Sequence, residues 1–358
     1  MPEPAAVRAQ LDRDAFLAPA AIVRREEVVL ALTLAVGVAL CYASGTGFEW
    51  SRIFWIGYAR FFAAYALYLF VVARMAHLVR VRWRPAAPPA ARALRWLGGP
   101  TRPSEIFDTD LEFLRGLGLL LVTLMVYTNV KVRIPFINET VGDDLFQAVD
   151  NLMLGERFVP WIERTTAASP WLSDALNRVY FFGHIWMVLL VLWLWIRSDA
   201  RRMRWLFVSY CLTYMIVIFV TALYPSYGPF FLDWERFGWA RETMSGHTQA
   251  FLVGRFLESG ELVARGKTFV PVAFTGIAAF PSLHVGQMAL IAYVAWTPAR
   301  LFALFMIGVA LVTTVATLAF GWHYLVDAVA GAAVAVCIPA LVRPWILGQR
   351  AATGPSRS

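Results

Sequence analysis

Two short stretches, Phe-Pro-Ser-Leu-His at residues 280–284 and Gly-Trp-His-Tyr-Leu-Val-Asp at residues 321–327, decide how the chain is interpreted. Each stretch places a histidine at the start of a long apolar run, where an ionisable side chain is costly and usually functional. The chain has only five histidines, and His284 and His323 occupy equivalent positions in two successive apolar segments. The two stretches are therefore candidates for the two halves of one active site.

The composition predicts an all-α, polytopic membrane helical bundle. The 358 residues are 59% hydrophobic and 16% charged, with a mean hydropathy of +0.59, whereas soluble domains carry about a quarter charged residues. Apolar runs close to the roughly 20 residues that a bilayer span needs predict eight transmembrane helices. The predicted spans are 28–44, 53–73, 112–130, 178–197, 205–224, 277–297, 300–320 and 322–342.

The chain divides into three predicted regions. Residues 1–111 form an N-terminal segment with two transmembrane helices and a basic cytoplasmic loop, residues 112–345 form the six-helix catalytic membrane domain, and residues 346–358 form a cytoplasmic tail. All three cysteines lie in apolar runs without metal-ligand spacing, which argues against a disulfide framework and a thiolate metal site.

The placement of the charges predicts the orientation in the membrane. Residues 74–102 contain seven arginines and no acid, and residues 197–204 contain four arginines and one aspartate. Basic loops remain in the cytoplasm, so the net charge of +8 reflects membrane topology and not nucleic-acid binding. Alternation places residues 131–177 and 225–276 outside, with His284 and His323 at the outer ends of their helices.

His323 and Asp327 form the first candidate catalytic pair. Residues four apart share one face of a helix, and a carboxylate beside an imidazole fixes its tautomer and favours its charged form. The free ring nitrogen is then a better nucleophile or base. The alternative is a structural hydrogen bond between neighbouring helices, but buried ionisable groups within a membrane span are usually functional.

His284 follows a proline and a serine, a sequence typical of a helix start. The amides of Ser282, Leu283 and His284 would then be free at a helix N-terminus, which is a natural anion site. His284 could protonate a departing oxygen there, although an interfacial histidine that only caps its helix is the alternative. With His323 at the same depth, the pattern favours phosphoryl transfer.

The two histidine motifs resemble those of the type 2 phosphatidic acid phosphatase superfamily, over roughly residues 112–342. This resemblance implies that the last six helices form a lipid-phosphatase-like catalytic core. The sequence is most similar to the inositol phosphorylceramide synthase-like branch, because Lys131–Pro135, the acidic stretch Asp143–Asp150 and Tyr180–His184 resemble its bacterial members. The resemblance implies that His323 is a nucleophile that becomes phosphorylated, that Asp327 orients it, and that His284 is the general acid. It implies no metal and no cofactor.

The cation that binds the phosphate is not where the wider superfamily has it. Thr317 stands where many members have an arginine, and residues 224–231 have no arginine beside their prolines. Lys131 is the first candidate for this role, followed by Lys267 and Arg265. For each of the three, an interfacial or solvated charge is the alternative.

Two other features have open interpretations. His184 is near enough to face the same cavity, and the alternative is a structural bond to a neighbouring helix. The long segment 225–276 contains no long apolar run, and loops of this length are usually functional or disordered. We expect it to form a lid or a wall over the outer site.

These observations predict a membrane lipid phosphatase or phosphotransferase that forms a phosphohistidine. The substrate is a lipid phosphate or phosphodiester, the acceptor is water or a lipid or alcohol hydroxyl, and the location is a bacterial cytoplasmic membrane with the active site facing outside. Substrate-binding candidates are Ser282, Lys131, Lys267 and His184. The alternative is a lipid-binding or lipid-transport protein that uses the same fold without turnover, which the missing arginines favour.

Overall fold

The computed structural model describes residues 24–50, 52–82, 103–183, 185–266 and 277–348. These residues form fourteen α-helices, one 3₁₀ turn (Gly238–Ala240) and no strand, which confirms the predicted all-α class. The helices are α1 (Arg25–Ala43), α2 (Arg52–Arg82), α3 (Pro103–Lys131), α4 (Ile134–Ile137), α5 (Asp143–Leu154), α6 (Phe158–Ala167), α7 (Pro170–Phe181), α8 (Ile185–Ile196), α9 (Ala200–Leu223), α10 (Pro229–Leu232), α11 (Met244–Ala264), α12 (Leu283–Ala295), α13 (Arg300–Ala319) and α14 (Leu325–Leu347).

Helix α9 lies at the centre of the bundle. It is buried without interruption from Trp205 to Met215, and it packs against α3 on one side and α14 on the other. A helix that is enclosed on all faces needs apolar residues all round instead of one apolar stripe, and α9 has this composition. The short helix α12 packs against α13 and α14 beside it, so the two histidine motifs begin neighbouring elements.

Within the described part of the chain, five helices are long and apolar enough to cross a membrane, and the protein is a multi-pass membrane protein. They correspond to the predicted spans 28–44, 112–130, 205–224, 300–320 and 322–342. Helices α7 and α8 meet at an angle of 47° and together could make a sixth span. The described residues therefore support five or six spans where eight were predicted.

Three predicted spans differ from the helices observed. Span 178–197 is replaced by two helices, α7 and α8, because α7 ends at Phe181. Gly183 lies in the turn between them, and a Cβ added there would lie 3.1 Å from the Met288 side chain. Span 277–297 is reduced to α12, because residues 277–282 hydrogen-bond outside any helix. Span 53–73 lies in α2, whose apolar part within the described side chains is Ala66–Met75.

Ion pairs join helices at the end of the bundle that lies away from the histidine motifs. At this end, ion pairs join the starts of α1, α3 and α9: Arg24 with Glu112 at 2.6 Å, Glu27 with Arg115 at 2.6 Å, and Glu26 with Arg204. The histidine motifs and helices α4–α6, α10 and α11 lie toward the other end. The predicted site is therefore remote from Arg74, which pairs with Asp110 of α3, and from the basic link 197–204.

Candidate active site

His323 lies in a tight turn between α13 and α14. The amides of Trp322 and His323 donate to the carbonyl of Thr317, at 2.9 and 3.4 Å, and the amide of Phe230 donates to the carbonyl of Gly321 at 3.0 Å. Gly321 has a φ of 67°, a backbone conformation that glycine adopts without strain. An added Cβ there would lie 2.3 Å from the ring of Phe237, so the turn requires glycine on two grounds.

Asp327 lies directly behind His323. Its carboxylate is fully buried, and Oδ2 lies 3.4 Å from Nδ1 of His323 and accepts a hydrogen bond of 2.9 Å from the amide of Tyr324. The distance to His323 is longer than a strong hydrogen bond, although such contacts often tighten only when substrate binds. Since Nδ1 faces Asp327, Nε2 is the ring nitrogen available for chemistry.

His284 lies in the first turn of α12, opposite His323. The two imidazole centroids are 6.0 Å apart, with their planes inclined at 57°. The ring of Tyr180 stacks on His284 with centroids 4.1 Å apart and planes 24° apart, and Tyr180 also stacks on Trp322 at 5.3 Å. Helix α7 therefore fixes the plane of one histidine and supports the turn that holds the other.

A cavity of about 310 Å³ brings His284, His323 and Lys131 together. Lys131 is the last residue of α3 and has no acidic partner within 4.0 Å among the described residues. Tyr127 and Tyr227 also line the cavity, whose remaining wall is mostly apolar and aromatic. A lysine without a counter-ion beside two imidazoles makes this cavity suitable for an anionic group.

The other predicted binding residues are placed differently. The amide of Ser282 is not free, because it donates to the backbone carbonyl of Asp327 at 2.9 Å. Its hydroxyl is fully buried as the N-cap of α12 and faces the amide of Val285 at 3.5 Å. Arg265 is exposed beside Glu261. His184 and Lys267 lie outside the described residues.

The acidic face of α5 is a part of the site to which the sequence assigned no role. Asp143 is 3% exposed and accepts hydrogen bonds from the amides of Tyr227 and Gly228 and from the hydroxyl of Ser226. These hydrogen bonds to the Asp143 carboxylate therefore hold the loop that leads to α10 in place. Only the resemblance pointed to this acidic stretch.

Asp150, two turns further along α5, contacts the start of α14. Its two oxygens accept hydrogen bonds from the amides of Leu325 at 2.6 Å and Val326 at 3.1 Å. Burial raises the pKa of Asp150 above its ordinary value, the two amides lower it, and the charge of Asp327 raises it. Two buried carboxylates thus share the N-terminus of one helix.

The fold and the site together define a multi-pass membrane protein with a histidine pair and a lysine around one anion-compatible cavity. A family model described as the PAP2 superfamily matches residues 147–341, which is more than half of the chain. The chain belongs to this superfamily, and the recognition made from its motifs is confirmed at that level. Members are generally phosphatases, so membership indicates a phosphatase-type enzyme that acts on lipid phosphoesters. No curated protein and no solved structure matches the chain.

Proposed function

We propose that the protein is a metal-independent lipid phosphatase or phosphotransferase that works through a phosphohistidine. Nε2 of His323 attacks the phosphorus of a lipid phosphoester, and a nitrogen–phosphorus bond forms while the bond to the leaving oxygen breaks. His284 gives its proton to that oxygen, so that the lipid or alcohol leaves neutral. Asp327 keeps Nδ1 protonated and stabilises the charge that develops on the ring.

The observation that carries this proposal is the position of His284 and His323 across one cavity. Reacting atoms need to approach to about 3–3.5 Å before bond formation. The imidazole centroids are 6.0 Å apart, so one phosphoryl group bound in the cavity can contact both rings. Lys131 lines the same cavity, and its ammonium group supports the negative charge on the phosphoryl oxygens.

The second step regenerates the enzyme. His284, now neutral, takes the proton from an acceptor hydroxyl, whose oxygen attacks phosphorus and displaces His323. Water as the acceptor gives a phosphatase, and a lipid or alcohol hydroxyl gives a transferase. We favour transfer to a lipid or alcohol in a bacterial cytoplasmic membrane, because the motifs resemble the inositol phosphorylceramide synthase-like branch.

The test uses purified protein with a panel of labelled lipid phosphates and phosphodiesters, with and without a lipid acceptor. We expect phosphate release or transfer that persists with a chelator present and that His323→Ala and His284→Ala abolish. His247→Ala is the matched control, because this histidine is 70% exposed on α11. Activity that survives His323→Ala would contradict the mechanism, and activity lost with the chelator would contradict the metal-independent form.

A second candidate function is lipid binding or transport without turnover. A mostly apolar groove of about 700 Å³ runs along α12, α13 and α14, with Arg343 as its charged residue, and it suits a hydrocarbon chain. This groove favours lipid binding but equally suits the tail of a substrate. Saturable lipid binding without release or transfer for any lipid in the panel would favour the second candidate.

A further inference from the structure

Asp150 hydrogen-bonds to the first turn of α14, the helix that carries Asp327. Its side chain is 2% exposed, and each carboxylate oxygen accepts one amide of the first turn of α14. The first amides of a helix have no partner within the helix. A negative charge at that position also interacts favourably with the helix dipole. Asp150 therefore caps α14 from a different helix, α5.

This cap has a consequence for the location of the substrate. The amides of Leu325 and Val326 would otherwise form an anion site at the N-terminus of α14. The Asp150 carboxylate already occupies them. A phosphate group is thus left to bind in the cavity that His284, His323 and Lys131 line.

One face of α5 contacts both histidine motifs. Phe146 lies between Asp143 and Asp150 on this face, and its ring stacks on Phe280 of the first motif with centroids 4.5 Å apart. It also approaches the ring of Tyr324 in the second motif at 6.2 Å. Asp150 is the member of this face that accepts hydrogen bonds from backbone amides just after His323.

We propose that Asp150 is a positioning residue for phosphoryl transfer, because its hydrogen bonds to the first turn of α14 keep His323 and Asp327 aligned with the phosphorus. The proposal rests on the proposed function, since it requires His323 to be the nucleophile. Asp150 acts through the backbone and touches no reacting atom. Its loss lowers the rate of the chemical step and leaves substrate binding in the cavity largely intact.

The test compares Asp150→Asn and Asp150→Ala with the wild-type protein in kcat, KM, the rate of His323 phosphorylation and thermal stability. Asparagine keeps an oxygen that accepts an amide, whereas alanine removes the cap. We expect Asp150→Ala to lower kcat on the order of 100-fold, as small misplacements of reacting groups do. Asp150→Asn should recover part of this loss, KM should stay within about twofold of wild type, and His323 phosphorylation should slow in parallel with kcat.

Asp144→Asn and Asp144→Ala are the matched controls, since Asp144 is an exposed aspartate of the same helix. They should leave kcat unchanged. A wild-type kcat for folded Asp150→Asn would overturn the proposal, as would a loss of activity that only follows a loss of folded protein. If Asp150→Ala does not fold, Asp150→Asn decides the outcome.

The failure of this proposal differs from the failure of the proposed function. If the wild-type protein never becomes phosphorylated on His323, the proposed function fails and the role of Asp150 fails with it. If the wild-type protein is phosphorylated and Asp150→Asn is phosphorylated equally fast, only the positioning role is wrong.

Discussion

The contact between His323 and Asp327 determines which imidazole nitrogen can react. The carboxylate oxygen lies 3.4 Å from Nδ1, so in the proposed mechanism it faces a protonated Nδ1 and leaves Nε2 with its lone pair. We expect Asp327→Asn to reverse this tautomer, because the amide of asparagine can donate to Nδ1. In a related histidine–aspartate pair such a change lowers kcat about 10⁴-fold, and we expect a loss of at least about 100-fold here.

The measurement is kcat on the best lipid substrate, with thermal stability recorded in parallel. Asp174→Asn is the control, since Asp174 is a largely exposed carboxylate in α7, paired with Arg178. If Asp327→Asn keeps wild-type kcat, Asp327 has only a structural role and the alternative interpretation of this pair is right.

We propose that Lys131 carries the charge that the wider superfamily supplies with arginine. It faces the cavity from the end of α3, whereas Thr317, in the expected arginine position, is fully buried and bonds to the Thr314 carbonyl. We expect Lys131→Met to lower kcat/KM about 100-fold, the scale for removing one group that stabilises transition-state charge. Lys131→Arg should restore part of the activity.

Arg157→Met is the control for Lys131, because Arg157 is an exposed cation at the start of α6. Kinetics on a lipid phosphate would measure both variants. Equal activity of Lys131→Met and the wild-type protein would leave the phosphate-binding cation elsewhere, with Lys267 as the next candidate.

Sequence reasoning placed His323 beside Asp327 from their four-residue separation on a helix. The two side chains do lie 3.4 Å apart, although His323 lies in the turn before α14 and not on the helix itself. Such reasoning failed for the amide of Ser282, because its partner is the Asp327 carbonyl, a contact between residues 45 positions apart that no local pattern reveals. The same applies to Asp150 and Leu325, which meet only after α5 has packed against α14.

Helices α12 and α14 approach each other through glycine. A Cβ added at Gly331 would lie 2.0 Å from the Ser282 carbonyl oxygen, and one at Gly286 would lie 2.9 Å from the Gly331 carbonyl oxygen. We expect Gly331→Ala to force the two helices apart and to destabilise the protein by about 1–3 kcal/mol, as overpacking does. Because the displaced group is the Ser282 backbone, activity should fall as well.

Gly308→Ala in α13 is the matched control, since an added Cβ there meets nothing within 4 Å. Alanine favours a helix by up to about 1 kcal/mol over glycine, so this variant should be as stable as the wild-type protein or more so. Thermal unfolding in detergent measures both variants. A Gly331→Ala protein with wild-type stability would show that the close approach is not required.

Hydropathy located most of the long helices but not the interruptions at the site end. The apolar run 277–297 contains no strongly polar residue before Ser282, yet residues 277–282 lie outside a helix. Long-range hydrogen bonds hold them there, from the Ala279 amide to the Ser226 carbonyl at 2.7 Å and from the Thr221 hydroxyl to the Phe280 carbonyl at 2.7 Å. Such bonds satisfy the backbone without a helix, and a hydropathy window cannot detect them.

The candidate active site lies at one end of the molecule. Ion pairs that join α1, α3 and α9 lie at the same end as Arg74 and the basic link 197–204, and the cavity with both histidines lies at the opposite ends of α3 and α9. Since basic loops remain in the cytoplasm, we propose that the cavity faces the outside. A substrate would then enter from the outer leaflet.

Labelling of single cysteines in intact cells with a membrane-impermeant maleimide tests this orientation. Cys41 and Cys211 are buried, so only the exposed Cys337 needs replacement by serine. Glu242→Cys, at a 97% exposed side chain beside α11, should react in intact cells because it lies on the site end. Arg201→Cys, at an exposed position at the start of α9, should react only after the membrane is permeabilised. The reverse pattern would place the histidines on the cytoplasmic side and require substrate from the inner leaflet.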